Sequence, residues 1–404
     1  MKIEWIDAGG VTTAAGFAAA GTYTGIKTYG PEPRLDLGLL YAEQPCTVAG
    51  VFTQSRVCGA PVQLCRERLA GGSARGLIVN SGNSNVATGA TGLADARRMA
   101  ALAAARCGVP EEEFFVASTG VIGRPLPMAK IEAGLAQLQP RREGAGDFAR
   151  AIMTTDMHSK SRALRVCGAG SDFHIGGAAK GAGMAHPNMA TVLCFLTTDA
   201  PVGADFLQPC LKRVADASLN MLDVDMDTST SDSMLILASG AAGGEPIDGS
   251  GTRAQAFEAA LLELSVALTR DLARDAEGAE HLIVVTVDGA RNLDDARRAA
   301  RTVVSSPLVK TMVTGRDANL GRVLMALGRS GAELQLERIS VYLGEHCAFE
   351  RGAPGSASLE QLSAAMEREE VHIRVDLGQG DASARAWGCD LTEQYVRINA
   401  DYTT

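Results

Sequence analysis

A chain of 404 residues is too long for one simple core, and 46% hydrophobic with 21% charged residues is the composition of a soluble globular protein. A formal net charge of −9 at pH 7 opposes nucleic acid or an anionic membrane surface as partner, and no apolar run approaches a membrane span. Nine scattered cysteines without a CxxC pair read as free thiols of a reducing cytosol, and six dispersed histidines offer no metal-ligand spacing.

Residues 1–7 lack the apolar segment of a signal peptide. Residues 76–80 predict a buried strand that enters the polar turn 81–85, and residues 94–106 a helix ended by Gly108 and Pro110. Residues 114–117 predict a short strand running into Ser118, Thr119 and Gly120; residues 140–146 predict a polar loop. In the second half Phe206, Leu207, Cys210, Leu211 and Val214 share a helical face. Residues 234–237 form a strand, and 239–251, with five glycines and a proline, an exposed loop. An amphipathic helix follows over 257–268, a strand over 282–287 and a polar helix over 294–301. Alternating helices and strands predict a layered α/β protein, without fixing sheet direction.

The most informative segment is 180–191. A glycine-rich loop and Pro187 precede Ala190-Thr191, and Thr191 opens the apolar run 192–196. A hydroxyl at the mouth of a strand suits self-cleavage: the Thr191 oxygen attacks the Ala190 carbonyl, the ester hydrolyses, and Thr191 becomes a new N-terminus. Its α-amine, with a reference pKa of about 7.7–8.0, then serves as the base. An ordinary loop leading into a strand would carry the same residues.

Other polar motifs sit at strand–loop junctions. Ser118, Thr119 and Gly120 could aim donors at an oxyanion or form a plain turn. Thr154, Thr155 and Asp156 suit a site or an N-cap. The acid- and hydroxyl-rich stretch 225–232 lacks the Gly and terminal Glu of a calcium loop and reads as a hydrogen-bonded structural turn. Asp275, Ala276 and Glu277 follow an amphipathic helix, and residues 395–404 alternate apolar and polar as an edge strand would.

In this order the motifs resemble the ornithine acetyltransferase family, bifunctional glutamate N-acetyltransferases of the cyclic arginine pathway. The resemblance spans the chain through residues 80–83, 118–123, 152–156, 180–191, 227–230, 306–311, 388–392 and 402–404. It implies an αββα sandwich related to the DmpA aminopeptidases, self-processed into chains 1–190 and 191–404 that assemble as a cytoplasmic α2β2 heterotetramer. It implies that Thr191 is the nucleophile for cleavage after Ala190 and for acetyl transfer, with Thr119 and Gly120 as the oxyanion hole. It places Thr154 or Thr155, Lys180, Glu277, Asn399 and Thr404 around the amino-acid substrate. Because adjacent strand residues point to opposite faces, one of the two threonines is expected to contribute. The substrates implied are N-acetylornithine as donor and glutamate as acceptor, with no cofactor and no metal.

The chain departs from the family's pattern in places. The usual Asp-Gly-Glu-Gly-Ala-Thr-Lys has Ala276 for its first glycine, Glu280 for Thr and His281 for Lys. Asp-Pro-Asn-Trp-Gly-Arg has Ala318 and Leu320, and Thr-Thr-Asp-Thr-x-Pro-Lys has Met157 and Ser159. Asp-Gly-Asp-Thr-Ser-Thr-Asn-Asp has Met226 and Ser231. Such drift fits ordinary divergence or a paralogue with another acyl donor or acceptor. An N-terminal-nucleophile amidase would share the nucleophile and let water take the ester.

Overall fold

The computed structural model describes residues 2–28, 33–168, 171–186 and 192–401. The first half runs β1 (Lys2–Trp5), β2 (Phe17–Thr22), β3 (Leu37–Phe52), α1 (Ala60–Leu69), β4 (Ser73–Asn83), α2 (Gly89–Cys107), β5 (Phe114–Val121), α3 (Met128–Gln137), α4 (Ala145–Ala151), β6 (Lys160–Cys167) and β7 (Phe173–Lys180). Next come β8 (Leu193–Thr198), α5 (Ala204–Ala217), β9 (Leu222–Asp223), β10 (Ser233–Ala238), α6 (Gly251–Arg274), β11 (Leu282–Ala290), α7 (Leu293–Val304), α8 (Pro307–Thr314) and α9 (Gly321–Gly328). The chain closes with β12 (Ser340–Leu343), β13 (His346–Glu350), β14 (Ala353–Pro354), α10 (Leu359–Ala365), β15 (Glu370–Asp376), β16 (Ala382–Cys389) and α11 (Glu393–Asp401).

Two sheets organise these elements. The nine-stranded sheet has the order β1-β6-β7-β8-β10-β3-β4-β5, with β2 paired to β3; the seven-stranded sheet has the order β14-β13-β12-β15-β11-β16-β9. β8 lies parallel to β10 with Leu193 opposite Ser233, and antiparallel to β7 with Leu193 opposite Lys180. Every residue of β8 and β10 is buried. A strand covered on both faces needs apolar residues without alternation, which is why these segments read as unbroken runs.

Helix α6 packs on β6 and β7 of the first sheet and on β11 and β16 of the second. Its stripe Phe257, Leu261, Leu264, Leu268 and Leu272 belongs to a core that spans both sheets. A second core joins α1, α2 and α4 to the first sheet through Phe114, Phe115, Phe148 and Phe195. The layered α/β expectation holds. No described helix is long and apolar enough to cross a membrane, and all nine cysteines are free thiols.

Local departures from the sequence reading have physical reasons. Gly108 ends α2 as expected, in the left-handed conformation that glycine adopts without a Cβ clash. Thr119 and Gly120 lie inside β5, which continues past Ala117 to Val121. Residues 140–146 are not a plain loop: Arg142–Gly144 is a 3-10 turn that runs into α4. The expected C-terminal edge strand is the helix α11 over its described residues. There the spacing of four wins over the spacing of two, because Tyr395 and Asn399, one turn apart, both find partners: Tyr395 on Asp225 and Asn399 on Glu277.

Candidate active site

At one end of the central strands an open cleft encloses about 740 Å³, solvent included. It gathers Thr119 and Gly120 from β5, Thr154 and Thr155 from the turn after α4, Lys180 from the end of β7, Glu277 from the loop after α6 and Asn399 from α11. Ala190, Thr191 and Thr404 lie outside the described residues. Val192 and Leu193, which follow Thr191 in the chain, line the cleft. Both Thr154 and Thr155 line it as well; the pair sits in a turn, where the strand alternation behind the expectation of a single contributor does not apply.

Lys180 is buried, and its Nζ donates to Thr119 Oγ1 at 3.1 Å. Burial pushes this ammonium below the usual lysine range, against the pull of Asp156. Asp156 is the anchor of the region rather than an N-cap. It accepts the amides of Thr154 at 2.9 Å and Gly181 at 2.8 Å and the Lys160 ammonium at 2.5 Å. Burial alone would raise its carboxyl, but the charges of Lys160 and Lys180 outweigh that and hold it below the usual carboxylate range. Lys160 also donates to Asp275 at 2.5 Å, and Asp275 accepts the amides of Met157 and His158. The helix-end acid Asp275 is therefore a buried partner.

Gly120 has φ +126°, and a Cβ there would lie 2.4 Å from the carbonyl carbon of Gly82 and 2.6 Å from the amide nitrogen of Asn83. Only glycine lets β4 and β5 approach this closely. Asn80 braces the junction by accepting Ser118 Oγ–H at 2.6 Å and donating to the Asn83 carbonyl at 2.8 Å. Across the cleft, Asn399 Nδ2 donates to Glu277 Oε2 at 2.8 Å, and the Glu277 amide donates to the Ala182 carbonyl.

Upstream of the Ala190-Thr191 junction the loop is fastened by the acidic stretch. Asp225 accepts the amides of Met184 at 2.6 Å and Ala185 at 2.9 Å. The His186 amide donates to the Asp227 carbonyl, and Thr228 Oγ1 donates to the His186 carbonyl. Asp223 meets His186 Nδ1 at 2.6 Å and the buried Lys310 ammonium at 3.0 Å. The reading of 225–232 as a hydrogen-bonded turn thus holds for its first part. Its last part does more: Ser229, Thr230, Ser231 and Asp232 line the cleft. A Ser-Asp pair separated only by Ser233 from the wholly apolar run 234–237 was the available signal.

Of the departures, Ser231 alone lines the cleft; Met157, Ser159, Met226, Ala276, Glu280, His281, Ala318 and Leu320 do not. The Ala276 methyl packs with Ala185, Val224 and Cys389. His281 Nδ1 faces Asp390 Oδ2 at 2.8 Å, while Asp390 Oδ1 accepts the amides of Glu280 and His281. Glu280, His281 and Asp390 are the one group of metal-type donors among the described residues, and two of the three are bonded to each other. Met226 holds φ +66°, a left-handed conformation.

The model of the ArgJ family matches residues 18–404. An arginine biosynthesis bifunctional protein ArgJ from Symbiobacterium thermophilum is 47% identical over 406 residues, covering all of both chains. Its namesake from Dehalococcoides mccartyi is 44% identical over 403 residues, covering 100% of this chain and 99% of that one. The crystal structure of an ArgJ protein from Bacillus halodurans aligns with a TM-score of 0.50 at 39% identity, over 51% of this chain and 97% of that one.

Proposed function

The chain belongs to the ArgJ family, and from that premise we propose that its cleft is where an N-acetyl amino acid hands its acetyl group to Thr191. The protein is an acetyltransferase of arginine biosynthesis, moving acetyl from N-acetyl-L-ornithine to L-glutamate. The Thr191 hydroxyl oxygen attacks the acetyl carbonyl, and ornithine leaves with a proton on its nitrogen. The acetyl-Thr191 ester is then attacked by the amine of glutamate; N-acetylglutamate departs and Thr191 regains its proton. Each half passes through a tetrahedral oxyanion, and Thr119 and Gly120 are the donors we assign to it. Lys180 offers a cation to the substrate's α-carboxylate. Glu277, steadied by Asn399, takes a cationic amine, Thr154 and Thr155 supply hydroxyls, and Thr404 closes the pocket.

The base in this reading is the α-amine of Thr191, set free by cleavage after Ala190. The working enzyme then has chains 1–190 and 191–404, assembled as an α2β2 heterotetramer in the cytoplasm. A solved relative whose chain is 97% covered by 51% of this one supports the two-chain form. The observation that carries the proposal is convergence: five separate chain segments bring the seven described residues to one cleft.

Purified protein given N-acetylornithine and glutamate should release ornithine and N-acetylglutamate in equal amounts with no added cofactor. N-acetylornithine alone should leave the peptide beginning at Thr191 acetylated. Thr191→Ala should remain one 404-residue chain on a denaturing gel. Wild type that stays full length and transfers nothing overturns the proposal.

A further inference from the structure

The scheme above leaves one carboxyl of the cleft unused. Asp232 stands at the entry to β10, is 2% exposed, and lines the cleft beside Ser231. Among the described residues its Oδ2 has no hydrogen-bond partner, and neither has Ser231 Oγ. A buried polar atom left unpaired is costly, and an ionised carboxylate far more so. Two such atoms on neighbouring residues of a substrate cleft mark a place where bonds await a ligand.

The charges facing Asp232 say in which form it waits. Lys180 approaches from β7, Asp156 stands behind Lys180, and Glu277 lies across the cleft on the loop after α6. Asp156 and Asp275 are matched in number by Lys160 and Lys180, so this buried group is neutral without Asp232. An ionised Asp232 would add an uncompensated negative charge at the point where a substrate carboxylate must reach Lys180. Burial holds the Asp232 carboxyl well above the usual range, and the Ser229 hydroxyl and Lys180 pull it down only in part.

We infer that Asp232 works as a neutral carboxylic acid whose Oδ2 hydroxyl donates a hydrogen bond to the substrate carboxylate that Lys180 holds, so that the cleft reads this anion with one cation and one uncharged donor. Ser231 Oγ stands ready as a second uncharged donor. The inference rests on the assignment of Lys180 to the α-carboxylate in the preceding section. No proton changes hands in the binding step; the acid stays an acid.

The test is isothermal titration of glutamate into the processed enzyme between pH 6 and 9. Asp232→Ala should weaken binding about 10- to 150-fold, the range for a hydrogen bond to a charged group. Asp232→Asn keeps an uncharged donor of the same shape and should recover most of that loss. As pH rises, wild-type affinity should fall relative to Asp232→Asn, because only the wild type gains a charge beside Lys180; taking the ratio cancels the titration of glutamate's own amine. Infrared difference spectra of the wild type on adding glutamate need no variant, and should show a protonated carboxyl band shifting. Carboxylate bands alone, or a ratio that stays flat while Asn weakens binding as much as Ala, overturn the inference. Lys180→Met separates the two readings. If Lys180→Met binds glutamate as tightly as wild type, the carboxylate assignment itself fails; if it weakens binding and Asp232→Ala does not, the Asp232 inference alone fails.

Discussion

Replacing Gly183 with alanine adds one methyl group beside Glu277 in the cleft. The new Cβ would lie 2.5 Å from Glu277 Oε2, 2.7 Å from its Cδ and 2.8 Å from Oε1. Unstrained contacts need about 3.5 Å, so the carboxylate must retreat by about 1 Å. The backbone need not move, because Gly183 is not in the left-handed region and the obstacle is the end of a flexible side chain. That retreat stretches the 2.8 Å bond from Asn399 past hydrogen-bonding range. Losing a hydrogen bond to a charged group costs about 1.5–3 kcal/mol, or roughly 10- to 150-fold in kcat/KM. If Glu277 takes the substrate amine as proposed, the loss should fall on N-acetylornithine and spare N-acetylnorvaline, which has the same length of carbon chain and no amine. Steady-state kinetics with both donors, beside a thermal melt to establish folding, decides the matter. A folded Gly183→Ala enzyme with unchanged kcat/KM for N-acetylornithine, or with equal losses on both donors, removes Glu277 from amine recognition.

Thr119→Ala should cut turnover by on the order of 10²–10³ while the protein folds, and should slow self-cleavage, which passes through the same kind of oxyanion; unchanged turnover in a single-turnover assay would exclude Thr119. Lys160→Met leaves Asp156 and Asp275 buried without their shared cation and should destabilise by about 3–5 kcal/mol in denaturant titrations. The pH dependence has a definite sign. The Asp156 carboxyl is depressed in the folded state, so its contribution is complete above the unfolded value of about 3.9 and disappears as pH falls below it. Wild type should therefore lose stability below about pH 4 more steeply than Asp156→Asn, as melts in acid buffers would show. Met226→Gly should stabilise by roughly 0.5–1 kcal/mol, the left-handed strain of about 1–2 kcal/mol less the entropy that glycine brings; a lowered Tm would show that Met226 gains more from its contacts than its backbone loses.

Much of the architecture was legible because burial leaves a mark on composition. β8 and β10 announce themselves as unbroken apolar runs, and Gly108 and Pro110 stop α2 where they stand. The residues at the cleft were legible through motif order, not through periodicity. Physical pattern alone misjudged them: Thr119 and Gly120 looked like a turn but continue a strand, since β4 beside them accepts the pairing through Gly82 and Asn83. Asp156, read as a possible cap, is a buried charge hub whose partners come from Lys160, nearby in the chain, and Gly181, far from it. Asp232 could not be singled out from a stretch rich in acids, because what distinguishes it is a buried carboxyl oxygen unpaired among the described residues, a property of packing that no spacing encodes.

The order of strands in the nine-stranded sheet bears on what a cut after Ala190 would leave behind. β8 and β10 belong to the downstream piece, yet they fill the slot between β7 and β3 of the upstream piece. Taken away, they would leave two raw strand edges separated by a gap of about 14 Å, three inter-strand spacings wide, with nothing to bond. Such a cut would be a record that folding took place. It would also be a one-way step: an intact precursor could regain its shape as a single molecule, whereas a cut protein, once unfolded, would have to find its other half by collision. Its recovery would depend on concentration in a way that the Thr191→Ala chain's would not.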